Sequence, residues 1–284
     1  MLRGMKFKIA LVQLRVSVQK DANLLRARSQ VLEAARHGAN VVVLPECFNS
    51  PYGTAHFPAY AEPLAGPTCT ALSQIAKDAG VHLIGGSFPE LGEGGKLFNT
   101  STVWDPAGTR IGIHRKIHLF DIEVPNGIRF KESDALSAGN EMTMISTPFG
   151  RIGLGICYDL RFPELAMCAA RADCVLMVYP GAFNMTTGPL HWELLLRARA
   201  LDNQMFVAAC SPARVEDEAK NGGYVAYGHS SVVDPMGKVI ATTDGEEGIV
   251  YADVDTDAIF AARQAIPVTK QRRFDVYPDI SKGP

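Results

Sequence analysis

Gly153-Leu154-Gly155-Ile156-Cys157-Tyr158-Asp159-Leu160-Arg161-Phe162-Pro163-Glu164 reads as a short apolar strand that stops at a cysteine, then a polar turn, then a helix. A thiol at such a junction sits at the rim of a sheet, where it meets solvent and the positive end of the next helix. That placement favours the thiolate, the reactive form of cysteine. If Cys157 is a nucleophile, the chain must also supply a base and a positive group for a developing oxyanion.

The same grammar extends to both sides of this stretch. Upstream, Lys6 to Leu14 is a strand candidate and Asp21 to His37 a helix closed by Gly38. Val41 to Leu44 is a fully apolar strand, so both its faces should be covered. Pro67 opens a helix that Gly80 stops, Val81 to Ser87 is a strand, and Leu97–Trp104 with Arg110–His114 form a hairpin around Asp105-Pro106-Ala107-Gly108. Lys116 to Gly139 has no clean period and reads as a functional lid. Downstream, Met142–Ser146 and Ile152–Ile156 are strands, a helix starts near Phe162, and Val175–Tyr179 is a strand. Pro189–Asp202 is a helix, followed by strands at Met205–Cys210, Val225–Val233, Lys238–Thr242 and Ile249–Asp253. Asp255–Ala265 is a short helix, and Pro267–Pro284 an irregular tail. Strand–helix–strand–helix–strand and then a hairpin thus occurs twice. Pure alternation suggests a doubly wound parallel sheet. The hairpins argue instead for two mixed sheets packed face to face with helices outside.

Composition narrows the class. The chain has 284 residues, 47% hydrophobic and 20% charged, which suits a globular protein with a full core, as one large layered domain or two small ones. A formal charge of -2 gives no bulk attraction to nucleic acid or anionic lipid, and no apolar run reaches the roughly 20 residues that span a bilayer. The first residues carry positive charges, but the apolar run behind them is short and lacks a cleavage site, so a strand is expected and not a secretion signal. Cys47, Cys69, Cys157, Cys168, Cys174 and Cys210 form no C-x-x-C pair, and reduced thiols in a cytoplasmic protein are expected, with a mitochondrial pool left open.

Three side chains of complementary chemistry end predicted strands. Glu46 follows Val41–Leu44, Lys116 follows the hairpin strand ending at His114, and Cys157 follows Ile152–Ile156. Strand ends are where layered α/β folds build sites. The ammonium can steady a tetrahedral oxyanion. The carboxylate can take the thiol proton, give it to a leaving amine, then activate water. Taken singly, each has a plainer reading: a small buried cysteine, a capping glutamate, a solvated lysine. His114 and His118 are four apart but lack a helix and a companion glutamate, so no metal site is assigned. Gly153-Leu154-Gly155 is too short for a dinucleotide loop, and Arg197 with Arg199 reads as a solvated helix face. No cofactor is expected.

Leu44-Pro45-Glu46, Arg115-Lys116-Ile117-His118-Leu119-Phe120 and Gly155 to Glu164 together resemble the three signature blocks of the nitrilase superfamily of carbon-nitrogen hydrolases, in the family's order. Pro45 to Gly53, Lys116 to Ile122 and Tyr179 to Pro189 resemble its omega-amidase branch most closely. The resemblance implies a four-layer αββα sandwich over residues 1–267, a tail at 268–284, and a homodimer. It implies Glu46 as general base, Lys116 and the Tyr158 backbone N–H as oxyanion donors, and Cys157 as nucleophile. Glu132 matches a second family glutamate that supports the site, with an exposed loop acid as its alternative.

The resemblance also implies the substrate class: short 2-oxo dicarboxylic acid monoamides, cut at the distal amide. Such a substrate needs a cation for its carboxylate. Arg161, four residues past Cys157, is the candidate, with an ion pair to Glu164 as the alternative. Tyr52, Tyr158, Phe120 and Phe183 are candidate pocket residues, with plain core as the alternative for the buried rings. Hydrolysis of N-carbamoyl compounds, simple amides or nitriles stays open, as does an idle scaffold whose thiol senses oxidants.

Overall fold

Along Lys6–Gln13 (β1) the side chains alternate between two apolar environments. Phe7, Ile9 and Leu11 point one way and Ala10 and Val12 the other. The Val41–Val43 strand (β2) repeats this, with Val41 and Val43 on the first side and Val42 on the second. Period-two alternation with both sets apolar means that each face of the sheet is covered.

The computed structural model describes residues 3–123, 129–215, 224–277 and 279. In the first half β1 leads to α1 (Lys20–Arg36), β2, α2 (Phe57–Tyr60), α3 (Pro67–Ala79), β3 (His82–Ile84), β4 (Phe88–Leu91), β5 (Leu97–Trp104) and β6 (Arg110–Arg115). A small hairpin, β7 (Asp121–Glu123) with β8 (Arg129–Lys131), stands in the segment read as a lid; residues 124–128 of that segment lie outside the described residues. The second half runs β9 (Thr143–Thr147), β10 (Gly150–Leu154), a 3-10 turn Cys157–Arg161, α4 (Pro163–Arg171), β11 (Cys174–Pro180), α5 (Gly188–Asn203), β12 (Phe206–Cys210), β13 (Ser231–Val233), β14 (Val239–Thr242), β15 (Gly248–Asp255), α6 (Asp257–Ala265) and α7 (Val268–Gln271). The tail therefore holds one helical turn that the sequence reading left irregular; positions 278 and 280–284 lie outside the described residues.

Two large mixed sheets form. One has the order β15-β1-β2-β3-β5-β4, with β6 on the other edge of β5; the second is β14-β13-β12-β11-β10-β9. Inward-facing side chains of both sheets, among them Ile9, Val43, Ile152, Leu154 and Val178, make the middle layer. Val31, Leu72 and Ile75 of α1 and α3 cover the first sheet, and Leu165, Trp192 and Leu196 of α4 and α5 cover the second. This is the expected αββα arrangement. One feature was not foreseen: β15 leaves the second half and pairs antiparallel with β1 over the full span from Lys6↔Asp255 to Gln13↔Gly248. It ties the C-terminal half to the first sheet. Val225–Val233 shortens to β13, and Val81–Ser87 to β3 with a separate β4. Among the described residues no helix is long and apolar enough to cross a membrane.

Candidate active site

Each of the three key side chains leaves the end of a strand at the same rim of the sandwich. Glu46 follows β2 across Pro45, and the turn is held by Leu44 N–H to Ile84 O (3.0 Å) and Ser87 N–H to Pro45 O (3.1 Å). Gly86, at φ 59°, permits this approach, since a Cβ there would lie 2.1 Å from the Pro45 carbonyl oxygen. Lys116 follows β6, its backbone N–H donating to Asn99 O (2.8 Å). Cys157 opens the 3-10 turn after β10 and has a φ of 46°. A non-glycine residue in that region marks strain held by its surroundings.

The side chains converge. Lys116 Nζ donates to Glu46 Oε1 at 3.1 Å and lies 2.9 and 2.8 Å from the two Glu132 oxygens. Glu46 also accepts from Asn99 Nδ2 (2.8 Å) and the Ala182 N–H (2.8 Å), and the Cys157 thiol hydrogen-bonds to its carboxylate. Glu132 accepts from the Tyr52 hydroxyl (2.7 Å) and the Phe120 N–H (2.7 Å). Lys116 and Glu132 are both 0% exposed, so Glu132 is no exposed loop acid. A buried ammonium between two buried carboxylates is tolerated because nearly every lone pair is taken up.

Burial alone would lower the Lys116 ammonium, but Glu132 and then Glu46 outweigh it and hold it well above its ordinary range. Burial pushes the Glu46 carboxyl up; Lys116 opposes this without reversing it. The expected thiolate does not follow. Burial and the Glu46 charge push the Cys157 thiol well up, against the pull of Lys116. Burial is the larger cause; beyond it, one ammonium faces two carboxylates, so the charges around the sulfur do not offset the loss of water.

Two spaces open on this cluster. A cavity of about 470 Å³ is lined by Glu46, Cys47, Tyr52, Ala182 and Tyr224 among others. A smaller chamber, room for about one water, is lined by Phe120, Cys157, Tyr158, Arg161, Phe183 and Tyr224. Ala182 and Tyr224 border both. Of the five expected pocket residues, Arg161, Tyr158, Phe120 and Phe183 thus meet at the Cys157 chamber. Tyr52 lies on the outer cavity and serves Glu132. Arg161 does not pair with Glu164: among the described residues its polar partner is His191 Nδ1, to which Nη1 donates at 3.2 Å. Its guanidinium packs over the Phe183 and Tyr158 rings, 4.8 and 5.7 Å from their centroids. Arg199, read as solvated, is 6% exposed and donates to the Leu160 and Arg161 carbonyls, closing the 3-10 turn.

Asn99, Ala182, His191 and Tyr224 were missed. Asn99 stands beside Thr100, Ser101 and Thr102 in β5, so nothing in the sequence set it apart. The Ala182 N–H and the Tyr224 hydroxyl, which donates to Ala182 O, carried no signal either.

The family model for carbon-nitrogen hydrolases matches residues 8–264. A hydrolase of Schizosaccharomyces pombe is 59% identical over 276 residues, covering 96% of this chain and 84% of the relative. Omega-amidase NIT2 of Danio rerio is 57% identical over 272 residues, covering 96% of both chains. Among solved structures, Saccharomyces cerevisiae Nit3, a member of branch 10 of the nitrilase superfamily, superposes with a TM-score of 0.86 at 47% identity, covering 95% of this chain and 97% of that one. With the fold, the three signature blocks and these likenesses in agreement, the chain belongs to the carbon-nitrogen hydrolase family of the nitrilase superfamily.

Proposed function

We propose that this hydrolase is an omega-amidase, which cuts the distal amide of 2-oxo dicarboxylic acid monoamides such as 2-oxoglutaramate and 2-oxosuccinamate to the 2-oxo acid and ammonia. The observation that carries the reading is Arg161. Its guanidinium lines the same chamber as the Cys157 thiol and has no carboxylate partner among the described residues. A cation left without an anion, held between aromatic faces, is a receptor for a substrate acid group. The names of the similar omega-amidases point the same way.

The chemistry we assign runs in two halves. Glu46 takes the Cys157 proton as sulfur attacks the amide carbon. Lys116 and the Tyr158 N–H hold the oxyanion, and Glu132 holds Lys116. As the tetrahedral adduct collapses, Glu46 gives the proton to nitrogen and ammonia leaves, with a thioester remaining. Water, deprotonated by Glu46, then attacks the thioester; the C–S bond breaks, sulfur regains a proton and the acid is released. A base raised above the ordinary carboxylate range is suited to both transfers.

Ammonia release from 2-oxoglutaramate, N-carbamoyl-β-alanine and a simple nitrile, compared side by side, tests the reading. Preference for either of the last two sinks it. Replacing Arg161 with alanine is expected to raise KM for a 2-oxo acid amide by about tenfold or more, the worth of a charge-assisted hydrogen bond, and to leave a neutral amide nearly unaffected. Equal loss on both removes the carboxylate role.

The same proposal extends to a homodimer in a reducing compartment such as the cytoplasm. Leu190, Leu194 and Leu201 share one face of α5 and are 65%, 64% and 50% exposed, an apolar stripe suited to a second copy. All six cysteines are unpaired. A dimer mass by light scattering is the expected result, and a monomer mass overturns it.

A further inference from the structure

His114 and His118 both turn inward, onto one group. Asp159 is 0% exposed and lies two residues past Cys157. Its Oδ2 accepts from the Ile156 N–H at 2.8 Å and from His114 Nε2 at 3.2 Å. Its Oδ1 accepts from the His118 N–H at 2.9 Å and from His118 Nδ1 at 2.7 Å. Burial alone would raise this carboxyl, but the hydrogen bonds from the two histidines outweigh it and hold it well below the usual carboxylate range. An ionised carboxylate only accepts, so His118 carries its proton at Nδ1 and His114 at Nε2. The His118 ring is further fixed by stacking on Phe162, with centroids 3.6 Å apart and planes within 8°.

The placement of the four donors matters more than their number. Ile156 immediately precedes the nucleophile. His114 and His118 stand two residues to either side of Lys116. One carboxylate on the second sheet's strand-to-turn junction therefore grips the peptide before Cys157 and both flanks of Lys116, which belongs to the first sheet. Nothing in the reaction touches it. We propose that Asp159 is a positioning residue: it sets the approach of the Lys116 ammonium to the Cys157 sulfur and holds Cys157 in its left-handed backbone. Ile156, two residues past the end of β10, is still extended, at φ -126° and ψ 122°. The backbone turns sharply at the next residue, and the Ile156 N–H bond to Asp159 is the anchor at the point of turning. This role does not depend on which amide the enzyme prefers.

The test uses the full chain and refers every rate to the number of working sites, counted by stoichiometric iodoacetamide labelling of Cys157 read by mass spectrometry. In Asp159→Asn one carboxylate oxygen becomes an NH2 that cannot accept, so either the Ile156 and His114 bonds or the two His118 bonds are lost. The expected result is a fall in kcat of about 100-fold per labelled site, the scale of a small misplacement of reacting groups, with KM unchanged. A residue that only supports folding would instead give fewer sites, each working at the wild-type kcat, and that result overturns the proposal. A rise in KM with kcat per site unchanged overturns it too. Should Asp159→Asn yield no folded protein, His118→Ala decides, because that side chain is 30% exposed and its backbone bond to Asp159 survives. It should lose about tenfold in kcat per site, and His118→Asn, whose amide N–H can reach the same oxygen, should regain most of it. Wild-type kcat per site in His118→Ala, or no recovery in His118→Asn, overturns the proposal.

Discussion

Cys157→Ala is expected to end ammonia release, with kcat falling on the order of 10⁴-fold or more, and to leave the fold in place. The first half of this expectation rests on the absence of a substitute. Cys47 is the other thiol near the cluster, but it lines the outer cavity, and burial with the Glu46 charge pushes it well up. Cys69 and Cys174 are pushed up by burial to about 11 and about 12 and sit in the two helix-facing cores. Cys210 is bonded toward the Val12 and Val43 carbonyls in the middle layer. None of the other five thiols, Cys168 on α4 included, lines the chamber in which the proposed attack takes place. The second half rests on the backbone. Alanine and cysteine carry the same Cβ, so the strain of a φ of 46° is unchanged, and only the sulfur's contacts are lost. Thermal unfolding should shift by a few degrees at most. An alanine variant that still hydrolyses amides would end the assignment of the nucleophile.

What the sequence discloses here follows from which interactions are local. The apolar runs of β1, β2, β10 and β11 and the punctuation after them place Glu46 and Cys157 at strand ends without reference to anything distant. The Asp105–Gly108 turn does the same for the hairpin that carries Lys116. The pairing of β15 with β1 joins residues about 240 positions apart, and no periodicity in either strand names its partner. Glu132 shows the same limit at the level of one side chain. Among Phe130, Lys131, Ser133 and Asp134 it looks like surface, and only the approach of Tyr52, Phe120 and Lys116 makes it buried. The protonation of Cys157 was misread for a related reason. A cation and a helix end were visible in the sequence, whereas the burial of the sulfur and the two carboxylates set against one ammonium exist only in three dimensions. The carbonyl partners of Arg199, at Leu160 and Arg161, lie on another element, so nothing local in the sequence marks that side chain as buried.

That balance also predicts what happens when the ammonium is taken away. In Lys116→Met a similar apolar stem remains, but Glu46 and Glu132 are left facing each other without a cation. Removing one partner of a buried ion pair costs about 3–5 kcal/mol, here with two acids stranded by one change, and a loss of roughly 10 °C in Tm is expected near neutral pH. The oxyanion also loses its charged donor, and kcat should fall about 10³-fold. The pH dependence separates this account from a general packing defect. Burial already holds the Glu46 carboxyl above its ordinary range against the pull of Lys116, so removing that ammonium pushes Glu46 further up. A carboxyl whose folded pKa exceeds its unfolded value near 4.5 binds its proton more tightly in the native state. Its contribution is fully present below the unfolded pKa and is lost as pH rises through the folded one. Each such group removes up to about 1.4 kcal/mol per pH unit in that window. The Tm difference between wild type and Lys116→Met should therefore be small near pH 5 and widen toward pH 8. Adding Glu132→Gln removes one of the two charges, so the double variant should recover part of the stability at pH 8 and flatten the slope, with no return of activity. A stability loss in Lys116→Met that is the same at pH 5 and pH 8 would mean that the two carboxylates are not held against each other by this lysine.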